Sequence, residues 1–572
     1  MSDQRSEYYA RVAKIVGNAL ENQRISIFGY THLAKTIELL ASCGAFNFHF
    51  AKINNDEMVD FWQMVDKLGF TAENRQEFKP SAYPLWLVAY LSSHNRFEDR
   101  WQFAHNDDSY EPTIVLGAGS LANCQRAYNQ AQEKKVPAVI GVILNNGMLL
   151  ASVVMPGRKF PWRNLNLDID INKFNRYCDW LDLNNQMANL AKAVMLDKTP
   201  WARKDLSDLF SQGKCDVLLA HPSWPWTARY LNLENESDLN WLKSITPKTF
   251  TPTTEYLKGK TVLIVGLGSL GSLLADHFRF LGADVVGIDS KDISIFNPIR
   301  QLYPTNLIGR QKAHALPILL AQKVSLSKEW PWPNPDQEIF LTRSGVQQFV
   351  GLNTYIEDSR EGQNKFEGIV KTYKPDLAIL TTANPAEFRM ASVLRQNNIP
   401  HLIGRCYPRA RWFEATYING QNRPCFGCLQ GHLYQGVVPT LTEEQMAAYD
   451  PEAQVPEEGM LQAEPATRID TSRCSDTILR LAVQALGDEK TRATWFRRMI
   501  REERPCLIGG NTAELQEDRE WSFGVTAPGE ATLYGVINFV GSETEETKEC
   551  LYCGQVYEIL IHRKTPEGVI NG

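Results

Sequence analysis

The sequence predicts an α/β protein in which one strand–turn–helix plan is written twice, and three observations carry that prediction. Val262 to Val265 form an apolar run that enters Gly266, Gly268 and Gly271, and a second apolar run, Val285 to Ile288, stops on Asp289. A buried strand, a glycine turn, a helix and a second strand ending on an acid is the order of a dinucleotide-type Rossmann unit. The chain also matches itself: residues 112–162 align without a gap on residues 375–425, with Pro112, Pro137, Gly141, Gly157 and Pro161 falling on Pro375, Pro400, Gly404, Gly420 and Pro424. Finally, the segment from Ile25, "ISIFGYTHLAKTIELL", matches the segment from Val262, "VLIVGLGSLGSLLADH". Two tandem Rossmann-like units are therefore expected, each a strand, a helix ending near a proline, another strand and a hairpin-like pair.

The two copies are unequal. Thr31 and Ala34 stand where Gly268 and Gly271 stand, and the second strand of the first copy runs into Ala51 and Lys52 with no acid. A turn that brings backbone N–H groups onto a phosphate needs residues without a Cβ. The first copy is thus expected to have lost its nucleotide and the second to have kept it.

Length and composition set outer bounds. The chain has 572 residues, 43% hydrophobic and 22% charged, enough for two to four domains with real cores. A net charge of −6 with no stripe of Lys and Arg argues against a nucleic-acid partner. "MSDQRSEYYARVAK" lacks the apolar region of a secretory signal, and no run of about 18 apolar residues could span a bilayer, so a cytoplasmic protein is expected. Eleven cysteines, four of them in two C-x-x-C pairs, fit a reducing compartment and a metal site better than a disulfide framework. Residues 163–250 read as a mainly helical insert or linker, and residues 436–470, rich in Pro, Gly, Glu and Asp, as a long exposed connection.

After Asp289 the sequence continues "SKDISIFNPIRQLYP". A glycine fingerprint with a ribose-binding acid fits a nicotinamide dehydrogenase equally well. Hydride transfer, however, gives no task to Asn297, Arg300, Gln301 and Lys312, which follow Asp289 at offsets of 8, 11, 12 and 23. Attack of a carboxylate on the α-phosphate of ATP does, because a crowded anionic phosphoryl centre is stabilised by Arg, Lys and backbone N–H groups.

Asp-x7-Asn-x2-Arg-Gln followed by a Lys, after G-x-G-x-x-G, resembles the adenylation domain of the ThiF, MoeB and ubiquitin-activating enzyme superfamily, over roughly residues 8–160 and 250–560. The resemblance implies that Asp289 holds the ribose of ATP and that Asn297, Arg300, Gln301 and Lys312 surround its phosphates, with Gly266, Gly268, Gly271 and Asn384 lining the site. It also implies a single chain of inactive and active halves, residues 1–162 and 251–435, with a crossover loop at 436–470 and the remainder of the active half at 471–572. In the family an arginine from the partner half completes the site, and Arg11, in "Tyr9-Ala-Arg11-Val", is its match, although the usual following Gln is absent.

Cys425, Cys428, Cys550 and Cys553 match the family's zinc knuckles, and four thiolates suit a closed structural Zn²⁺ site. Cys474, in "IDTSRCSDTILRLAVQAL", is the family-type candidate for a thioester, with Arg473 and a helix start expected to favour thiolate; the same pattern also fits a half-buried cysteine on a core helix, and Cys506 is the reserve. The chain departs from the family at one important place: Thr382-Ala383-Asn384 stands where the family writes Thr-Asp-Asn, whose Asp binds Mg²⁺, and Lys291 displaces a further acid to Asp292. Arg389, the next marker, is present.

The resemblance implies ATP- and Mg²⁺-dependent activation of a ubiquitin-like protein with a free C-terminus, passed to an E2-like conjugating enzyme, in the manner of bacterial Bil-type conjugation operons. Adenylation of a small-molecule, peptide or tRNA substrate, and a pseudoenzyme scaffold, are the rival expectations.

Overall fold

In the computed structural model of the chain, the apolar runs that enter the glycine turns lie at the centre of two sheets. The structure describes residues 20, 22–29, 32–45, 47–50, 102–105, 109–144, 149–162, 177–195, 217–220, 229–230, 236–237, 240, 256–295, 297–304, 307–322, 339–343, 347–406, 412–419, 425–427, 467–489, 492–501, 506–510, 531–534, 548–549 and 556–557.

The first sheet contains β1 (Arg24–Phe28), β2 (Asn47–Phe50), β3 (Gln102–His105), β4 (Ile114–Ala118), β5 (Ala138–Ile143), β6 (Leu149–Val154), β7 (Val217–Ala220) and β8 (Arg229–Tyr230), in the order β3-β2-β1-β4-β5-β6-β7-β8. The second contains β9 (Thr261–Val265), β10 (Asp284–Ile288), β11 (Ile339–Arg343), β12 (Gln347–Leu352), β13 (Leu377–Leu380), β14 (His401–Cys406), β15 (Trp412–Ile418), β16 (Cys506–Gly510) and β17 (Ala531–Tyr534), in the order β11-β12-β10-β9-β13-β14-β15-β16-β17. In both, five neighbouring strands are parallel and the next three antiparallel. Apart from β11, which runs antiparallel to β12, the two orders are the same. The architecture is mixed α/β with two parallel-rich, Rossmann-like sheets. Strands such as β4, β5 and β13 are buried along their whole length, as expected where helices cover both faces.

The helices are α1 (Ala34–Ser42), α2 (Leu121–Lys134), α3 (Tyr177–Met195), α4 (Gly271–Phe280), α5 (Lys312–Gln322), α6 (Arg360–Tyr373), α7 (Ala386–Gln396), α8 (Arg468–Leu486) and α9 (Thr494–Arg501). Their ends follow local chemistry: Ser120 and Ser359 accept from Asn123 N and Gly362 N to start α2 and α6, and Lys135 and Lys374 stop them in the left-handed region. No helix among the described residues is long and apolar enough to cross a membrane.

Within residues 163–250, the described residues supply α3 and then β7 and β8, which extend the first sheet as β16 and β17 extend the second. One reading of the sequence is corrected here. The gap-free repeat holds as far as β14, but Leu149 faces Ile143 whereas Phe413 faces Cys406, so the second hairpin connection is one residue longer.

α3 and α8 occupy matching places. A Cβ on Gly141 of β5 would meet Met187 Sδ at 2.7 Å and Leu183 Cδ1 at 2.8 Å, and one on Gly404 of β14 would meet Ile478 Cδ1 at 2.4 Å. Each helix therefore crosses its sheet over a glycine that lets it come close. α8 packs against α3, α1 and α4, and α1 against α3, so one continuous core joins the two halves, while the outer face of each sheet has its own cluster.

Candidate nucleotide site

The site is built from the carboxyl ends of β9, β10 and β13, the position an open parallel sheet offers a ligand. Gly266 has φ +91°, and a Cβ on Gly271 would lie 1.8 Å from Gly266 O, so no larger residue fits the tight return from β9 into α4. Side chains hold this turn from several directions. Asp289 Oδ2 accepts from Leu267 N at 2.8 Å and Oδ1 from Lys291 N at 2.8 Å; the Tyr303 hydroxyl donates to Leu267 O at 2.9 Å. Ser272 Oγ donates to Gly268 O at 2.6 Å and accepts from Leu302 N at 3.2 Å, tying the glycine turn to the segment that carries Arg300 and Gln301. No side chain caps α4, whose N-cap is Leu270, so its first N–H groups face the turn without a side-chain acceptor.

Asn297, Arg300, Gln301 and Lys312 meet on this side. Asn297 is committed locally: its Oδ1 accepts from Ser294 N at 3.0 Å, and its carbonyl accepts from Arg300 N and Gln301 N. Lys312 begins α5 and is buried. Burial lowers its pKa below the ordinary lysine value; Asp289 opposes that shift, while Arg300 and Lys291 add to it, so these charges share one locality. Gln301 Oε1 and Asn384 Oδ1 are buried and have no hydrogen-bond partner among the described residues. Among the described residues, nothing comes closer than Gln301 Nε2, 3.9 Å away, to where a Gly268 Cβ would stand. Orphaned amide oxygens beside an open glycine turn, an uncapped helix start and two cations suit a polar, anionic ligand such as a nucleoside triphosphate.

Ala383 is exposed with φ +54°, a conformation that is strained for a residue with a Cβ. The strain is held by Glu387, which the sequence reading missed. Its Oε1 accepts from Thr382 N (2.8 Å), Thr382 Oγ1 (3.0 Å) and Ala383 N (2.8 Å), and its fully buried carboxylate receives Arg405 Nη2 at 2.8 Å on the other oxygen. Arg405 in turn lies over the Phe426 ring at 4.9 Å. An acid in the first turn of α7, just after Thr-Ala-Asn-Pro, was the available signal. With Ala383 at the turn and Glu387 engaged, these residues do not fit the Mg²⁺ aspartate that the sequence resemblance implies. Arg389 pairs with Asp358 at 2.5 Å.

Cys474 is corrected in one respect. It is the seventh residue of α8, beyond the first turn where a helix end acts on a thiol, and it is fully buried with Sγ donating to Asp470 O at 3.4 Å. Burial raises its pKa well above the ordinary thiol value, Cys406 and Asp470 push the same way, and Arg473 only opposes them. The environment therefore disfavours thiolate, contrary to the expectation from Arg473 and a helix start.

The other expected residues are placed only in part. Cys425 is buried. Cys428, Cys550, Cys553 and Arg11 lie outside the described residues, although β18 (Lys548–Glu549) and β19 (Val556–Tyr557) pair antiparallel on either side of Cys550 and Cys553. Cys506 starts β16. Among the described residues, no group of three or more His, Cys, Asp or Glu could hold a metal.

The first half differs at the matching turn. A Cβ on Gly119 would lie 1.9 Å from the His32 ring, so that ring packs directly on the backbone, and Asn123 Nδ2 donates to Ala118 O at 3.3 Å beside Gly29.

No protein-family profile and no curated protein matches the chain. Among solved structures, Escherichia coli MccB with MccA-N7isoASN is similar at 12% identity over 45% of this chain and 62% of that one, with a TM-score of 0.29. MccB with succinimide gives 11% identity over 45% and 62%, with a TM-score of 0.28, and selenomethionine PaaA 15% over 44% and 70%, with a TM-score of 0.30. The chain thus spans less than two thirds of the MccB chain, and the fold assignment rests on its own strand order.

Proposed function

We propose that this protein activates a carboxylate with ATP. A carboxylate oxygen attacks the α-phosphorus, the bond from that phosphorus to the bridging oxygen breaks, pyrophosphate leaves with the electron pair, and an acyl-adenylate remains. The observation that carries the reading is the convergence of Asp289, Arg300, Gln301 and Lys312 on an uncapped glycine turn. In this reading Asp289 exchanges its hold on Leu267 N and Lys291 N for ribose hydroxyls. Arg300, Lys312 and the first N–H groups of α4 stabilise charge on the phosphates, and the buried position of Lys312 keeps water from screening it. No step is assigned to Mg²⁺, because Ala383 offers no carboxylate.

The finer reading has a ubiquitin-like protein as substrate, an E2-like acceptor, Arg11 reaching in from the nucleotide-free first half, and a structural Zn²⁺ on Cys425, Cys428, Cys550 and Cys553. The burial of Cys474 favours a second reading in which a peptide or small-molecule carboxylate is adenylated with no thioester step. Exchange of labelled pyrophosphate into ATP, stimulated by a carboxylate substrate, tests the core of the proposal; no exchange with any ubiquitin-like protein, peptide or small acid would overturn it. A thiol-sensitive adduct that is lost in Cys474→Ala would decide for the thioester reading.

A further inference from the structure

We propose that Glu38, on α1 of the first half, is a positioning residue for Arg300 and Gln301 of the second half, acting through Arg468. This rests on the adenylation reading of that site and adds what holds its cationic turn in place. Arg468 is 1% exposed and Glu38 likewise. Arg468 Nη1 donates to Glu38 Oε1 at 3.2 Å; Nη2 donates to Pro298 O at 3.2 Å and to Gln301 O. One turn later on α8, Thr471 Oγ1 donates to Arg300 O at 2.9 Å. The carbonyls of residues 298, 300 and 301 are thus all gripped by the first turn of α8. Glu38 is itself fixed by Lys35, whose Nζ donates to Oε2 at 2.6 Å.

A guanidinium is a rigid planar fork, so the carboxylate on one arm sets the direction of the other. Burying such a triad adds little net stability over an apolar packing of the same volume. Its location is informative. In the matched helix α4, Ser272 and Ala275 stand at the positions of Lys35 and Glu38. The first half therefore carries on α1 a buried acid, paired with the Arg468 that grips the second half's turn, at a place where α4 has none. α8 is also anchored at its start by Asp470, whose Oδ2 accepts from Thr467 N and Thr467 Oγ1 and whose two oxygens both lie 3.1 Å from Lys192 Nζ on α3. The first half thus fixes the helix and, through Glu38, the guanidinium it presents.

The test is calorimetric titration of the full chain with ATP and Mg²⁺, well below the unfolding midpoint, where a purely structural role leaves the affinity of folded molecules unmoved. Glu38→Gln, close in shape, is expected to weaken ATP binding about tenfold, the factor that 1.4 kcal/mol represents. In an Arg300→Ala, Gln301→Ala background the same change is expected to have no further effect. If Glu38→Gln fails to fold, Arg468→Lys is titrated instead; its single compact ammonium cannot fork to both sides, so a similar loss is expected. Unchanged affinity in the folded variant, or losses that add in the double background, would overturn the inference while leaving the ATP reading intact. Absence of ATP binding by the unaltered chain would overturn both.

Discussion

The two halves share a strand order and a helix crossing over a glycine, yet they place opposite chemistry at matched positions. Under the turn after β13, the second half buries Glu387 against Arg405. At the matching positions of the first half stand Cys124, whose Sγ faces Gly117 O and Gly141 O at 3.6 and 3.7 Å, and Val142, fully buried. His32 packs on Gly119 in the first half; in the second, Ala383 stands exposed over Glu387 at the corresponding turn. The comparison teaches that apolar strands and close-approach glycines specify the sheet, while the polar residues at strand ends specify the site. One copy can lose the second set and keep the first.

The largest expected effect falls on the site itself. Arg300→Ala should lower pyrophosphate exchange by about 10²- to 10³-fold, the usual loss for one preorganised donor to a developing anion. His32→Ala in the first half should leave exchange per folded molecule within about twofold, and an equal loss in both would break the asymmetry. Next, Glu387→Ala leaves the partly buried Arg405 without its carboxylate and should cost about 3 kcal/mol in urea unfolding, against about 1 kcal/mol for Cys124→Ala.

A third contrast appears in acid. His401 is fully buried, with Nδ1 3.0 Å from Ile399 O, and burial lowers its pKa from 6.5 to about 4, whereas Ala138 occupies the matching position. The unfolded chain takes up this proton below pH 6.5 while the folded chain refuses it until about 4. That contribution to stability is therefore present above pH 6.5 and lost as pH falls toward 4, a change of roughly 3 kcal/mol. In His401→Ala the unfolding free energy should depend correspondingly less on pH across that window. The smallest effect is expected at Ala383→Gly, where relief of the positive φ should stabilise the protein by about 1 kcal/mol, seen as a higher unfolding midpoint.

Much of the fold could be read from the sequence because its determinants are local. The glycine turns, the apolar strands and the repeat offset predicted β1, β4, β5, β9, β10, β13 and β14, with the helices α1, α2, α4 and α7. Asn297, Arg300, Gln301 and Lys312 were visible as a set because they lie within 16 residues of one another along the chain. The contacts that hold them were not: Arg468 meets Glu38 across 430 residues, and nothing in the neighbourhood of either announces the other. The surroundings of Cys474 were not legible for the same reason. A local pattern finds a helix start and a cation, but Cys406, which hydrogen-bonds to the Cys474 side chain, stands on β14, distant in sequence. The strands within 163–250 escaped because β7 and β8 are only four and two residues long and gain their partners from β6.

The central claim is that only the second half binds nucleotide. Calorimetric titration with ATP tests it most directly: one site per chain, abolished by Asp289→Ala, is predicted. Two sites per chain, or one site that survives Asp289→Ala, would contradict it.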